Sequence, residues 1–88
     1  MNNIFNNLTS SLSEELKKFE LDEAIQLSIS KIAGHDLQIN NLVKYNKSEF
    51  FDVLQENIIE KINSSNIFLP VEKNDMGFLN LSLNHTYL

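Results

Sequence analysis

The chain has 88 residues, a formal net charge of −5 at pH 7 and no cysteine. Its length fits one small domain, and the lack of cysteine excludes disulfides and thiolate metal sites. All seven basic residues are lysines that are spread along the chain, so a domain that grips nucleic acid through clustered positive charge is not indicated.

Residues 3–19 carry the pattern of an amphipathic helix, because apolar side chains recur there at spacings of three and four. These are Phe5, Leu8, Leu12, Leu16 and Phe19. The sequence Ser11-Leu12-Ser13-Glu14 also fits a capping box, so a start at Ser11 is an alternative. The longer helix is preferred because it uses the whole apolar stripe.

Residues 24–30 alternate between apolar and polar side chains, which predicts a half-buried strand with Ile25, Leu27 and Ile29 on its inner face. Gly34 provides a turn after it. We then expect Asp36 to cap a short helix. That helix would carry Leu37, Ile39, Leu42 and Val43.

A longer helix is predicted after Ser48, which would be its cap. Its buried stripe would comprise Phe51, Leu54, Ile58 and Ile62, widened by Phe50, Val53 and Ile59. Residues 63–66 would end it. Residues 67–73 are then predicted to form a strand, in which Pro70 indicates an edge position or a bulge.

The last strand is predicted over residues 78–83, after a hairpin-type connection at residues 74–77. Residues 85–88 would add a further helical turn or fray. This order of elements predicts an α+β domain, with a small, mostly antiparallel sheet packed against about three helices. We expect residues 1–88 to form this single domain.

Strict alternation in the last strand places Leu79, Leu81 and Leu83 on the core face and leaves Phe78, Asn80 and Ser82 on the other. A ring with an amide beside it can stack on an unpaired base and hydrogen-bond to its edge. The alternative is that Phe78 lies under another element and that Asn80 only caps the chain locally. Alternation alone favours this structural alternative.

No catalytic, cofactor or metal site is predicted from the residues. His35 and His85 have no partner at metal-ligand spacing, and Glu56 and Glu60 fit a solvated helix face. With only Gly34 and Gly77 as glycines, the chain cannot form a glycine-rich phosphate loop. The start resembles no signal peptide, and the longest apolar run is too short to cross a bilayer. We therefore expect a cytoplasmic protein without a membrane partner.

Several short motifs, in order along residues 1–88, resemble the N-terminal additional domain of arginyl-tRNA synthetases. The segment Gly77-Phe78-Leu79-Asn80-Leu81-Ser82-Leu83 is similar to the family's Gly-Phe/Tyr-Ile-Asn-Phe-x-Leu strand. Asp36-Leu37-Gln38-Ile39-Asn40 is similar to its Asp-x-Ala-Thr-Asn segment, Lys47-Ser48 to its helix start, and Asn3-Ile4-Phe5 to its opening.

Three positions depart from the family pattern. The family's His-Gly-Asp is present as Gly34-His35-Asp36, with the first two residues exchanged. Glu49 and Met76 stand where the family often has proline. Proline would make both turns more rigid and would supply no chemistry, so these departures concern stability more than function.

The resemblance implies that the domain contacts the D-loop at the outer corner of the tRNA. By position, the contacting residues would be Phe78 and Asn80, with Asp75 as a weaker third candidate. This implication reverses the preference drawn from alternation alone. Base stacking and amide recognition need no basic patch, so the acidic charge is compatible with it.

The resemblance also implies that the parent protein is an arginine–tRNA ligase that uses ATP and Mg, with no cofactor in this domain. The catalytic domain, a partner of this one, and the anticodon-binding domain would follow Leu88. The chain would then be an excised domain or a stand-alone relative, unable to activate arginine by itself. The alternative function is a free-standing acidic adaptor or inhibitor of the same fold that binds a protein surface.

Overall fold

The computed structural model describes residues 4–86. This part of the chain contains two α-helices, α1 (Ile4–Lys17) and α2 (Phe51–Ser65), and a short 3-10 helix at Val43–Tyr45. Three strands, β1 (Ser28–Ile29), β2 (Leu37–Ile39) and β3 (Leu79–Leu81), form an antiparallel sheet in the order β1-β2-β3. The fold class is α+β, as predicted. The predicted helical residue Asn3 and the tail residues Tyr87 and Leu88 lie outside the described residues.

Both long helices follow from their apolar stripes. In α1, Leu8, Leu12 and Leu16 are buried. The helix begins well before Ser11, so the earlier start is confirmed, but it ends at Lys17 and leaves Phe19 in the turn that follows. In α2 the predicted stripe of Phe51, Leu54, Ile58 and Ile62 is buried, whereas Val53 is exposed. Asn66 ends α2 in the left-handed conformation, as is common at the end of a helix. Ser48 does not cap α2 with its side chain; its backbone carbonyl accepts a hydrogen bond from the Phe51 N–H at 3.1 Å.

The predicted helix after Asp36 is wrong, because residues 37–39 form β2 in the middle of the sheet. Leu37 pairs with Leu81, and Ile39 with Leu79. Asp36 caps no helix. Its carboxylate Oδ2 accepts a hydrogen bond from the Leu83 N–H at 2.8 Å, and its own N–H donates to the Leu81 carbonyl at 2.8 Å. Pairing with β3 thus overrides the local capping signal.

The other two predicted strands are shorter than expected. Only Ser28–Ile29 of residues 24–30 pairs with β2; Ile25 is buried, but Ile29 is 84% exposed, so its inward placement was wrong. Residues 67–73 contribute a single bridge, Phe68 to Leu83. Past Pro70 the chain leaves β3, and the Val71 N–H donates to Asn63 Oδ1 of α2 at 2.9 Å.

One hydrophobic core joins the two helices to the inner face of the sheet. Its fully buried members are Leu12, Leu16, Ile39, Leu42, Leu54, Ile58, Ile62, Leu79 and Leu81. The predicted full burial of Leu54, Ile58 and Leu81 is therefore confirmed. Leu83 is half-buried. Because the core takes the leucine face of β3, the opposite face of this strand is left for another role.

Glu23 fastens the segment before β1 to the 3-10 helix. Its carboxylate accepts hydrogen bonds from Asn41 Nδ2 at 2.9 Å, Lys44 Nζ at 2.8 Å and the Tyr45 hydroxyl at 2.6 Å. Burial alone would raise the pKa of the Glu23 carboxyl, but these hydrogen bonds outweigh it and hold that pKa below its usual range. The hydrogen bond to Glu23, aided by burial, raises the pKa of Tyr45 to about 12. This cluster holds the 3-10 helix in place, and the turn before β3 packs against the start of that helix.

Candidate nucleic-acid interface

The outward face of β3 forms one side of a groove of about 410 Å³, here called the β3 groove. Phe78, Asn80 and Ser82 line it from β3 and from the residues directly before and after this strand. Its remaining lining consists of His35, Leu69, Pro70, Glu72, Lys73 and Asn74. The alternation of the strand therefore does bring Phe78 and Asn80 together, on the face that the core does not use.

The turn before β3 is organised by Asn74. Its side-chain Oδ1 accepts hydrogen bonds from the backbone N–H groups of Met76, Gly77 and Phe78, at 2.9, 3.0 and 3.3 Å. Its own backbone N–H donates to Oε1 of the buried Gln55 in α2 at 3.1 Å. Asparagine favours such turns because its short side chain can bond to the backbone that follows it. The turn therefore fixes the position of Phe78 in the lining of the groove.

Gly77 allows the turn to lie directly against the chain that follows β2. Its φ is +100°, and a Cβ at this position would lie 2.9 Å from backbone atoms of Leu42 and Val43. Only glycine satisfies both the conformation and the close approach. The Met76 N–H bonds to Asn74, a contact that proline cannot make. The turn is thus held by hydrogen bonds to the Asn74 side chain.

Phe78 presents an apolar surface to solvent at the groove. Its side chain is 36% exposed, whereas the neighbouring Leu79 on the core face is fully buried. Leu69, which also lines the groove, is 48% exposed. An aromatic ring that is partly open in this way can accept a planar base on its face.

Asn80 lies opposite Gln38 in the register of β2 and β3. Its Oδ1 accepts a hydrogen bond from Gln38 Nε2 at 2.8 Å. Within residues 4–86 the Asn80 Nδ2 group makes no hydrogen bond, and no buried side-chain nitrogen or oxygen there lacks a partner, so Nδ2 is open to solvent. Gln38 thereby holds the Asn80 amide in place and leaves N–H donors free for the edge of a base.

Asp75 is exposed in the turn and does not line the β3 groove. It stands between Asn74, which lines the groove, and Met76, which is 56% exposed. The structure thus places Asp75 next to the groove, apart from the Phe78 and Asn80 pair.

His35 is a groove residue that sequence reasoning did not assign. Its Nδ1 lies 3.0 Å from Ser82 Oγ, and Ser82 Oγ donates to the Gly34 carbonyl at 2.9 Å. Alternation had already put Ser82 on the same face as Asn80. No local signal points to His35, because the Gly34–Asp36 turn reaches the groove only through the pairing of β2 with β3.

The groove has little free positive charge. Lys73 forms an ion pair with Glu56, and its hydrogen bond to Glu56 raises the pKa of the Lys73 ammonium. Glu72 adds a carboxylate to the lining. A groove of this kind suits base stacking and amide recognition better than phosphate binding through lysines.

Neither a metal site nor a membrane span is found in the described part of the chain. No group of three or more His, Asp or Glu side chains within residues 4–86 could hold a metal ion. The helices in this range are too short and too polar to cross a membrane.

Comparison with known proteins identifies one family. The family model described as the arginyl tRNA synthetase N terminal domain matches residues 6–83, which include most of α1, all of α2, the whole sheet and the β3 groove. No curated protein and no solved structure matches the chain. The match covers nearly all of the 88 residues, so the chain belongs to the family of arginyl-tRNA synthetase N-terminal domains.

Proposed function

We propose that this domain binds tRNA for an arginine–tRNA ligase in the cytoplasm and contacts the D-loop at the outer corner of the tRNA through Phe78 and Asn80. The observation that carries the proposal is the position of these two side chains. Both side chains line the β3 groove, in a domain of this family. The ligation chemistry, with ATP and Mg, belongs to a catalytic domain of the same parent protein.

Phe78 and Asn80 make different contributions. A base stacked on an aromatic ring gains roughly 1–3 kcal/mol, and the 36% exposure of Phe78 favours the lower end of that range. The free Nδ2 of Asn80 donates to an acceptor on the base edge, which distinguishes one base from another. Asp75, at the edge of the groove, is a weaker third contact that can accept a hydrogen bond from a base amine.

The negative charge of the domain limits its attraction to the phosphates of RNA. A net charge of −5 and a groove lysine already paired with Glu56 mean that this domain contributes little attraction to phosphates. Phosphate contacts then come mainly from other parts of the ligase. We expect binding by the isolated domain to be weak, which determines the choice of assay.

The proposal is tested by NMR titration of the ¹⁵N-labelled 88-residue chain with two RNA hairpins, the D-arm and the anticodon arm of an arginine tRNA. Only the D-arm should shift the amide signals of residues 74–82. Phe78→Ala should weaken D-arm binding about five- to tenfold, which corresponds to roughly 1–1.4 kcal/mol. Asn80→Ala should mainly reduce the preference among D-loop bases.

Ile29→Ala is the matched control, since this apolar side chain is 84% exposed on β1 and lies outside the groove. It should leave RNA binding unchanged. All three variants should stay folded, because Leu79 and Leu81 hold β3 from the opposite face. Equal binding of both hairpins, or a Phe78→Ala protein that unfolds while its folded fraction binds normally, would refute the proposed site.

A further inference from the structure

We propose that His35 is a further RNA contact, within the β3 groove, and that its imidazolium binds a phosphate of the tRNA backbone next to the stacked base. This inference rests on the proposed function and extends it to a residue outside the strand. It also supplies a positive charge to a groove whose lysine is already paired.

The hydrogen bonds of Ser82 determine which nitrogen of His35 carries a proton. A serine hydroxyl has one proton to donate, and that of Ser82 goes to the Gly34 carbonyl at 2.9 Å. The 3.0 Å contact between Ser82 Oγ and His35 Nδ1 therefore requires Nδ1 to be the donor. His35 keeps a proton on Nδ1 in both of its charge states, and only Nε2 gains or loses one.

Protonation of Nε2 consequently breaks no contact. The Nδ1–H bond to Ser82 anchors the ring at the groove in either state, while the opposite edge of the exposed side chain makes no hydrogen bond to any residue in the range 4–86. The neutral ring offers an acceptor at Nε2, and the charged ring offers an N–H donor with a full positive charge. The latter is the form that binds a phosphate oxygen most strongly.

No carboxylate within residues 4–86 is paired with the His35 ring. Among residues 4–86, His35 forms no ion pair within 4.0 Å. The neighbouring Asp36 carboxylate bonds to the Leu83 N–H. Two other charged residues line the groove. Lys73 is paired with Glu56, and Glu72 is an exposed carboxylate. Lys31 is an exposed cation in the loop before His35.

His35 is also close to the proposed base site. Ser82, which holds its ring, follows Asn80 by two residues, a distance of about 7 Å along an extended chain. A nucleotide whose base lies against Phe78 and Asn80 thus has its own backbone within reach of Nε2. The three side chains line the same groove and would contact the ring face, the base edge and the phosphate respectively.

The test is the affinity of the 88-residue chain for the D-arm hairpin at pH 8 and pH 5.5, which span the range in which an imidazole changes charge. Wild-type affinity should rise about tenfold at the lower pH, as expected for one charge-assisted hydrogen bond. In His35→Gln the rise should disappear, because glutamine can still donate to Ser82 but carries no charge. His85→Gln is the control, since His85 is exposed outside the groove lining, and it should keep the rise.

A second readout separates binding from structure. At pH 5.5 the imidazole NMR signals of His35 should shift when the hairpin is bound, while those of His85 stay fixed. His35 signals that do not shift, or a pH-dependent affinity that survives in His35→Gln, overturn the proposal while leaving the Phe78 and Asn80 site intact. Failure of the wild-type chain to bind the hairpin at either pH overturns both.

Discussion

Replacing Gly77 with alanine should destabilise the domain more than the same change at Gly34. Both glycines have a positive φ, +100° and +89°, but only Gly77 has neighbours where a Cβ would stand. The left-handed conformation costs an alanine roughly 1–2 kcal/mol. At Gly77 the new methyl group would also lie 2.9 Å from backbone atoms of Leu42 and Val43, and such overpacking adds typically 1–3 kcal/mol.

We therefore expect Gly77→Ala to lower the free energy of unfolding by about 2–5 kcal/mol, and Gly34→Ala by about 1–2 kcal/mol. A small domain has only about 5–15 kcal/mol in total, so the difference is easily measured. Urea unfolding followed by circular dichroism gives both values, and unchanged slopes show that the comparison concerns the folded state. Gly34→Ala is the matched control, because no described residue other than its chain neighbours lies within 4 Å of its new methyl group.

Equal losses in the two variants would refute the close contact between the turn and the 3-10 segment. The same contact has a functional consequence. Relief of the clash must move either the Leu42–Val43 backbone or the turn that delivers Phe78, so Gly77→Ala should weaken D-arm binding even at temperatures where it stays folded. Gly34→Ala should alter binding less.

Two further predictions concern stability. Leu81→Ala should lower the free energy of unfolding by about 2–5 kcal/mol, because Leu81 is fully buried and the change leaves a cavity. Urea unfolding measures this loss, with Ile29→Ala as the control. A loss below about 1 kcal/mol would contradict the place of Leu81 in the core. The lowered pKa of Glu23 means that the stability it contributes is present above the usual carboxyl value of 4.5 and is lost as pH falls through the folded value below it. Glu23→Gln should therefore be less stable than wild type at pH 7 and lose less stability on acidification, and equal acid sensitivity in urea unfolding would contradict this.

The sequence was most informative where the burial pattern is periodic over many residues. The stripes of α1 and α2 and the alternation of β3 predicted those elements and the open face that carries Phe78 and Asn80. Each of these patterns repeats three or more times, so the gain from burying one face outweighs local preferences.

The errors lie where short segments depend on distant partners. Leu37 and Ile39 are two residues apart and fit either β2 or the start of a capped helix, and only pairing with β3 decides between them. Ile29 fits the alternation of a longer strand, but the chain before it is tied by hydrogen bonds to α1 and to Asn41, which leaves only two residues in β1. His35 reaches the groove through the same long-range pairing, and for that reason no sequence pattern indicated it.

In the turn before β3, the residues that fix its shape differ from the residues that form the surface beside the groove. Its shape depends on the Asn74 side chain, on the bare Cα of Gly77 and on backbone groups, whereas the side chains of Asp75 and Met76 are exposed. Substitutions at these two positions should cost little folding stability while altering the surface beside Phe78. The surface beside Phe78 can therefore change at positions 75 and 76 without a change in the strand that follows.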